Sequence, residues 1–93
     1  MSEPVRVLLA EPDAPTRTGI RLVLEEAGFD ICAEPLDRTA AVQAAVACRP
    51  AICLVAGRLP GGAVEALHAV YRRLPEAKLV LLTACASAAA CGR

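Results

Sequence analysis

The chain has 93 residues, of which 56% are hydrophobic and 2% aromatic, and its ten basic residues balance its ten acidic ones. A neutral formal charge argues against a basic surface for nucleic-acid phosphates or anionic membranes, and so few aromatic rings exclude base stacking as a binding mechanism. The length fits one small domain whose core is built from Ala, Val, Leu and Ile.

The first predicted strand covers residues 5–10, which are almost wholly apolar. Glu11 and Pro12 end it. Asp13 is a favoured N-cap for a following helix, and Pro15 fits the first helical turn. The apolar stripe predicted for this helix consists of Ile20, Val23, Leu24 and Ala27. Gly28 is in the position of a C-terminal helix stop.

An edge strand is predicted for residues 29–34, because apolar and polar side chains alternate there and the segment carries acidic residues. A second helix begins at Asp37. Its predicted inward face consists of Val42, Ala45 and Val46. The Ala-rich composition of this segment favours a helix that approaches the sheet closely.

A central strand is predicted for residues 51–56, a continuous apolar run between Pro50 and Gly57. Such a run is typical of a strand that is buried on both faces of a parallel sheet. A third helix follows, and its predicted inward face consists of Val64, Leu67, Tyr71 and Leu74. Its predicted outer face consists of Glu65, His68 and Arg72. A fourth strand is predicted for residues 78–83.

Strands that alternate with helices of about ten residues predict a parallel sheet with helices on both faces. Ligands of such sheets bind beyond the carboxyl ends of the strands. Ala56 and Gly57 lie at that position in the central strand, although neither side chain carries chemistry. Glu11, Asp13 and Thr83 are expected to cluster beside them.

The sequence predicts a cytoplasmic protein, because it shows no signal-peptide pattern and no apolar run of membrane-spanning length. The five cysteines form no C-x-x-C pair. Cys32, Cys48 and Cys53 are interpreted as small buried hydrophobic residues. Cys85 and Cys91 lie in the C-terminal tail, where no role is assigned to them.

Five short segments together resemble the receiver domain of two-component response regulators, of the kind that carries a LuxR-type helix-turn-helix output. They are residues 5–11 (VRVLLAE), 17–20 (RTGI), 49–51 (RPA), 58–61 (RLPG) and 81–84 (LLTA). The resemblance implies a flavodoxin-like α/β fold, a three-layer αβα sandwich. It further implies a parallel sheet of order 2-1-3-4, with the family's fifth strand and last helix missing. Residues 1–84 are then a truncated receiver-like domain, and residues 85–93 are an Ala/Cys-rich tail.

The resemblance also implies phosphoryl transfer from a histidine kinase to an aspartate, with Mg²⁺ held nearby. The phosphoacceptor position falls on Ala56, and one of the two acidic positions after the first strand falls on Pro12. Glu11 and Asp13 are the remnant of the acidic pocket, although capping is the more favoured role for Asp13. Thr83 matches the switch threonine, and the Arg58 backbone carbonyl matches a metal-ligating position.

These departures predict a pseudo-receiver that is not an enzyme and cannot accept phosphate. With one carboxylate at Glu11, Mg²⁺ binding is expected to be weak or absent. The chain is expected to act through a protein partner or through self-association at the exposed edge of its fourth strand. A sensor kinase is a partner only by family resemblance. Direct contact with nucleic acid or membrane is not expected.

Two other interpretations remain open at the level of sequence. The chain could be a non-functional fragment of a LuxR-type regulator that has lost its DNA-binding output domain. It could also be a small enzyme or nucleotide binder. Residues 57–62, however, match neither G-x-G-x-x-G nor a P-loop, and His68 is predicted to lie on the solvent face of a helix.

Overall fold

The computed structural model describes residues 3–83, in which strands and helices alternate strictly. The elements are β1 (Arg6–Ala10), α1 (Ala14–Glu26), β2 (Asp30–Ala33), α2 (Arg38–Cys48), β3 (Ile52–Ala56), α3 (Ala63–Arg73) and β4 (Lys78–Leu82). Three strand–helix units followed by one further strand are what the sequence pattern predicts. The tail at residues 85–93, with Cys85 and Cys91, lies outside the described residues.

The four strands form one parallel sheet of order β2-β1-β3-β4. This order confirms the flavodoxin-like topology that the resemblance implies. In the central pair, Leu9 lies opposite Leu54, and Leu54 in turn lies opposite Val80 of β4. Because all strands run in one direction, their carboxyl ends meet at one edge of the sheet.

One face of the sheet is covered by α2 and α3, which also pack against each other. The core on this face combines β1, β3 and the two helices, and its members are mostly Ala, Val and Leu. Ala41, Ala45 and Ala66 are almost fully buried in it. Small side chains at these positions allow the helices to lie close to the sheet, so a core almost free of aromatic rings is still closely filled.

The opposite face is covered by α1, which contacts β1 and β2. Leu9 is fully buried on this face, whereas α1 itself contains no buried residue. The predicted stripe of α1 is therefore only partly correct: Ile20 and Leu24 are half-buried, but Val23 is 68% exposed. α1 contacts β1 and β2, so the sheet covers only part of its apolar stripe.

The stripe prediction also fails at Ala27, which caps the C-terminus of α1 and is exposed. Within this helix, Arg17 and Arg21 both contact the Glu34 carboxylate, with the Arg21 pair at 3.1 Å. These partly exposed ion pairs connect α1 to the chain that follows β2, and each is worth little free energy on its own.

The predicted inward face of α2 is partly wrong. Ala45 is buried and Val42 is half-buried, as expected, but Val46 is 41% exposed. Ala41 takes the buried position instead. The buried residues of α2 are thus alanines that meet β1 and α3, which the larger valine could not do at the same distance.

The predicted inward face of α3 is also partly wrong. Leu74 is buried and Leu67 is half-buried, but Val64 and Tyr71 are 66% and 54% exposed. The buried face is formed by Ala63, Ala66, Val70 and Leu74. The helix is rotated by about one position from the prediction, so that its alanines face α2. Glu65, His68 and Arg72 are exposed as predicted.

The interpretation of the cysteines as buried hydrophobic residues is confirmed for Cys53, which is fully buried in β3. Cys32 and Cys48 are only half-buried, because they lie at the outer strand β2 and at the end of α2. The Cys48 thiol donates to the backbone carbonyl of Cys32 at 3.7 Å. Among residues 3–83, no helix is long and apolar enough to span a membrane.

Candidate functional site

The carboxyl ends of β1, β3 and β4 surround a cavity of about 620 Å³. Its lining residues are Glu11, Thr16, Ile20, Ala56, Gly57, Arg58, Leu82 and Thr83. The cavity lies at the edge of the sheet where the sequence predicts a site. It brings Glu11 and Thr83 next to Ala56 and Arg58, although these three parts of the chain are far apart in sequence.

Ala56 is the last residue of β3 and is 3% exposed. Its neighbour Gly57 donates its backbone N–H to the carbonyl of Leu82 at 2.7 Å, which fixes the end of β3 against the end of β4. A methyl group therefore stands at the end of the central strand, inside the cavity. It offers no oxygen that could attack a phosphoryl group.

Glu11 follows β1 and is 3% exposed, which makes it the only buried charged residue among residues 3–83. One oxygen of its carboxylate, Oε2, accepts the backbone N–H of Asp13 at 2.8 Å and a guanidinium N–H of Arg58 at 3.2 Å. A buried carboxylate needs such partners, because removing it from water is costly.

Arg58 lies two residues beyond the end of β3, and its side chain is 54% exposed. The resemblance implies a role only for its backbone carbonyl, and the ion pair with Glu11 is not predicted from the sequence. The two residues are 47 positions apart, so no local pattern indicates the contact. The available signal was a basic side chain directly beyond the carboxyl end of a central strand, facing a lone carboxylate.

Asp13 is the N-cap of α1, as the sequence predicts, and its carboxylate accepts hydrogen bonds from the backbone N–H and the hydroxyl of Thr16. These bonds, above all the one from the hydroxyl, lower the pKa of Asp13 below its ordinary value. Asp13 is exposed and does not line the cavity. Pro12 is half-buried in the same turn and brings no side-chain oxygen to it.

Two threonines supply the hydroxyl groups of the cavity. Thr83 directly follows β4 and is exposed, at the place where a switch threonine is expected. Thr16 lies in the first turn of α1, and its hydroxyl is already bonded to Asp13. Thr16 is not predicted from the sequence as a site residue, because its nearness to the cavity follows from the position of α1 on the sheet.

The residues present do not fit a Mg²⁺ ion of the kind that the resemblance implies. Mg²⁺ requires near-octahedral oxygen coordination, usually with more than one carboxylate or with phosphate oxygens. Here Glu11 is the single carboxylate that lines the cavity, and its Oε2 already accepts two hydrogen bonds. Within residues 3–83, no cluster of three or more His, Cys, Asp or Glu side chains could hold a metal ion.

No family model matches the chain, and no curated protein matches it. Solved structures do. The chain is 25% identical to a LuxR-family two-component response regulator from Aurantimonas sp. SI85-9A1, with a TM-score of 0.83 over 94% of this chain and 64% of that one.

Two further solved structures are similar. The signal receiver domain of a modulated diguanylate cyclase from Desulfovibrio desulfuricans G20 is 24% identical, with a TM-score of 0.84 over 96% of this chain and 72% of that one. The PhyR response regulator REC domain of Erythrobacter litoralis is 19% identical, with a TM-score of 0.81 over 88% of this chain and 64% of that one. The chain thus spans less than two thirds of two of these three structures. The similarity shows that the described residues have the fold of a receiver domain.

Proposed function

We propose that this chain, whose described residues have the receiver-domain fold, is a receiver-like signalling domain that does not accept a phosphoryl group. It acts through contacts with other proteins in the setting of two-component signal transduction. The proposal assigns it no enzymatic activity and no direct binding to nucleic acid or membrane. A sensor kinase would be its partner only by virtue of the family resemblance.

The observation that carries this proposal is the methyl group of Ala56. It is buried at the carboxyl end of β3, in the cavity that Glu11 and Thr83 also line. The resemblance implies that receiver domains have an aspartate at this strand end, and that this aspartate becomes phosphorylated. Phosphoryl transfer depends on an acceptor held in line and on charge neutralisation by metal. Alanine removes the acceptor, and Pro12 removes one of the two acidic side chains.

The test of this proposal is incubation of the 93-residue chain with a small phosphodonor and Mg²⁺, followed by intact mass measurement. We expect no phosphate adduct, because the cavity contains no nucleophilic side chain at position 56. A matched variant with Ala56→Asp and Pro12→Asp tests whether the remaining cavity can support the chemistry. We expect at most a low yield of adduct from it. An adduct on the wild-type chain at a stoichiometric level would contradict the proposal.

The protein contacts are proposed to involve the outer edge of β4. Lys78 donates its backbone N–H to the carbonyl of Ala51, and the carbonyl of Leu82 accepts from Gly57, so alternate residues of β4 bond to the β3 side. The backbone groups between them, at Leu79 and Leu81, point away from β3. Within residues 3–83, no strand pairs with that side. Such an edge is a template for pairing with another chain, either a partner protein or a second copy.

A further inference from the structure

The buried carboxylate of Glu11 has a positively charged partner within the chain. The Arg58 guanidinium donates to Glu11 Oε2 at 3.2 Å, and the carboxylate is only 5% exposed. A charge-assisted hydrogen bond of this kind is stronger than a neutral one. The guanidinium is itself 54% exposed, so it keeps part of its hydration while it neutralises the buried oxygen.

The other basic residue near Glu11 does not compete for this role. Arg17 donates from Nη1 to the backbone carbonyl of Glu11 at 3.0 Å, and its Nε lies 3.7 Å from the Glu34 carboxylate. Its guanidinium is therefore shared between that backbone carbonyl and the Glu34 carboxylate. Arg58 is the basic residue among the lining residues of the cavity.

We propose that Arg58 supplies, from within the chain, the positive charge that a receiver-type cavity otherwise takes from Mg²⁺. This inference rests on the proposed function, because it assumes that the cavity is a receiver-type site. The charges balance one to one: proline at position 12 leaves a single carboxylate in the cavity, and a single guanidinium neutralises it. Arg58 and the Asp13 N–H also occupy Oε2, one of the two oxygens that the Glu11 carboxylate offers to a metal ion.

The pair can be tested without any metal by a double-mutant cycle on the whole chain. Arg58→Met should lower the urea midpoint of unfolding, because Glu11 is left buried with one backbone N–H as its partner. The same change in the Glu11→Gln background should cost clearly less, because no charge is then left uncompensated. Arg72→Met, at an exposed position of α3, is the matched control and should leave the midpoint unchanged. Equal losses in both backgrounds would overturn the inference.

The replacement of the metal is tested with Mg²⁺ in a background that has a second carboxylate. Pro12→Asp alone should show no rise in thermal unfolding midpoint with millimolar Mg²⁺, because Arg58 still holds Glu11. Pro12→Asp combined with Arg58→Met should show a clear Mg²⁺-dependent rise, which Glu11→Gln should abolish. An equal rise in Pro12→Asp alone or in the wild type would overturn the inference. So would the absence of a rise in every variant, because Arg58 would then block no metal position.

These outcomes are distinguishable from those of the proposed function. A phosphate adduct on the wild-type chain would refute the proposed function and leave the Glu11–Arg58 cycle to be judged on its own result. Equal losses in the cycle would refute the role of Arg58 and leave the proposed function standing, because the absence of an adduct rests on the methyl group of Ala56.

Discussion

At position 56, the surroundings of the methyl group explain why a single change should not restore phosphate acceptance. A carboxylate placed there would share the cavity with Glu11, which is already buried. Two carboxylates in a poorly hydrated site repel each other, and one of them then tends to stay protonated. Among residues 3–83, Arg58 is the only basic residue that lines the cavity, and it is already paired with Glu11. A protonated aspartate is a poor nucleophile, which is why we expect little adduct even from the doubly substituted variant.

A second residue-scale consequence concerns the thiol of Cys53. This side chain is fully buried in β3, and burial raises its pKa from 9.0 to about 11. The thiol should therefore stay protonated and react slowly with alkylating reagents at neutral pH. Because the unfolded chain loses this proton at lower pH than the folded chain, the stability should fall as the pH rises from about 9 towards 11. Urea unfolding across this pH range measures the effect.

The control for Cys53 is Cys53→Ala, which removes the buried thiol. Its stability should be lower throughout but should fall less steeply at alkaline pH. Peptide mapping after alkylation of the folded wild type should find Cys53 less modified than the half-buried Cys48. A Cys53 that is modified as fast as Cys48 would show that β3 opens to solvent.

At the scale of elements, the orientation of α3 is the clearest structural finding that can be tested by paired substitutions. Val70 is 2% exposed and belongs to the core, whereas the adjacent Tyr71 is 54% exposed. Val70→Ala should lower the free energy of unfolding by about 2 kcal/mol, through lost burial and the cavity that remains. Tyr71→Ala should cost less than about 1 kcal/mol, as is usual for surface positions. Urea unfolding followed by circular dichroism measures both. A larger loss from Tyr71→Ala would contradict the orientation of α3.

The order of elements was predictable from the sequence, whereas the buried faces of the helices were predictable only in part. Residues 51–56 are apolar without interruption, and such a run between Pro50 and Gly57 has few interpretations other than a central strand. The strand ends then converge by topology alone, which is why the sequence predicts that Glu11 and Thr83 lie near Ala56. For α3, the choice of buried face depended on Ala66, whose small side chain gives no strong hydrophobic signal but fits a close contact between helices.

The ion pair of the site could not be predicted for a related reason. Glu11 and Arg58 meet because β1 and β3 are neighbours and end at the same level of the sheet. The sequence predicts that β1 and β3 are neighbours. The direction of a long arginine side chain beyond a strand end, however, depends on which partner groups lie near it. The buried carboxylate of Glu11 is that partner, and its burial became visible only in the structure.

For the molecule as a whole, the two faces of the sheet are covered unequally. The face under α2 and α3 contains most of the buried residues, including Leu8 and Val55. On the other face, α1 lies over β1 and β2, and Val80 of β4 is 39% exposed. The neighbouring Leu81 is 43% exposed on the side of α3. Exposed apolar residues beside an open strand edge are typical of surfaces that associate with other proteins.

Self-association through this edge predicts that the mass of the purified chain rises with concentration in sedimentation equilibrium. Val80→Lys should shift the chain towards the monomer, because a charged side chain beside an open edge opposes pairing with a second strand. The matched control is Leu22→Lys, which introduces the same charge at a position that is 56% exposed. Leu22 lies on α1, which contacts β1 and β2. Both variants should show a cooperative thermal unfolding transition like that of the wild type, which shows that they are folded. A wild type that stays monomeric at all concentrations, or a Val80→Lys variant that associates as strongly as the wild type, would contradict pairing at β4.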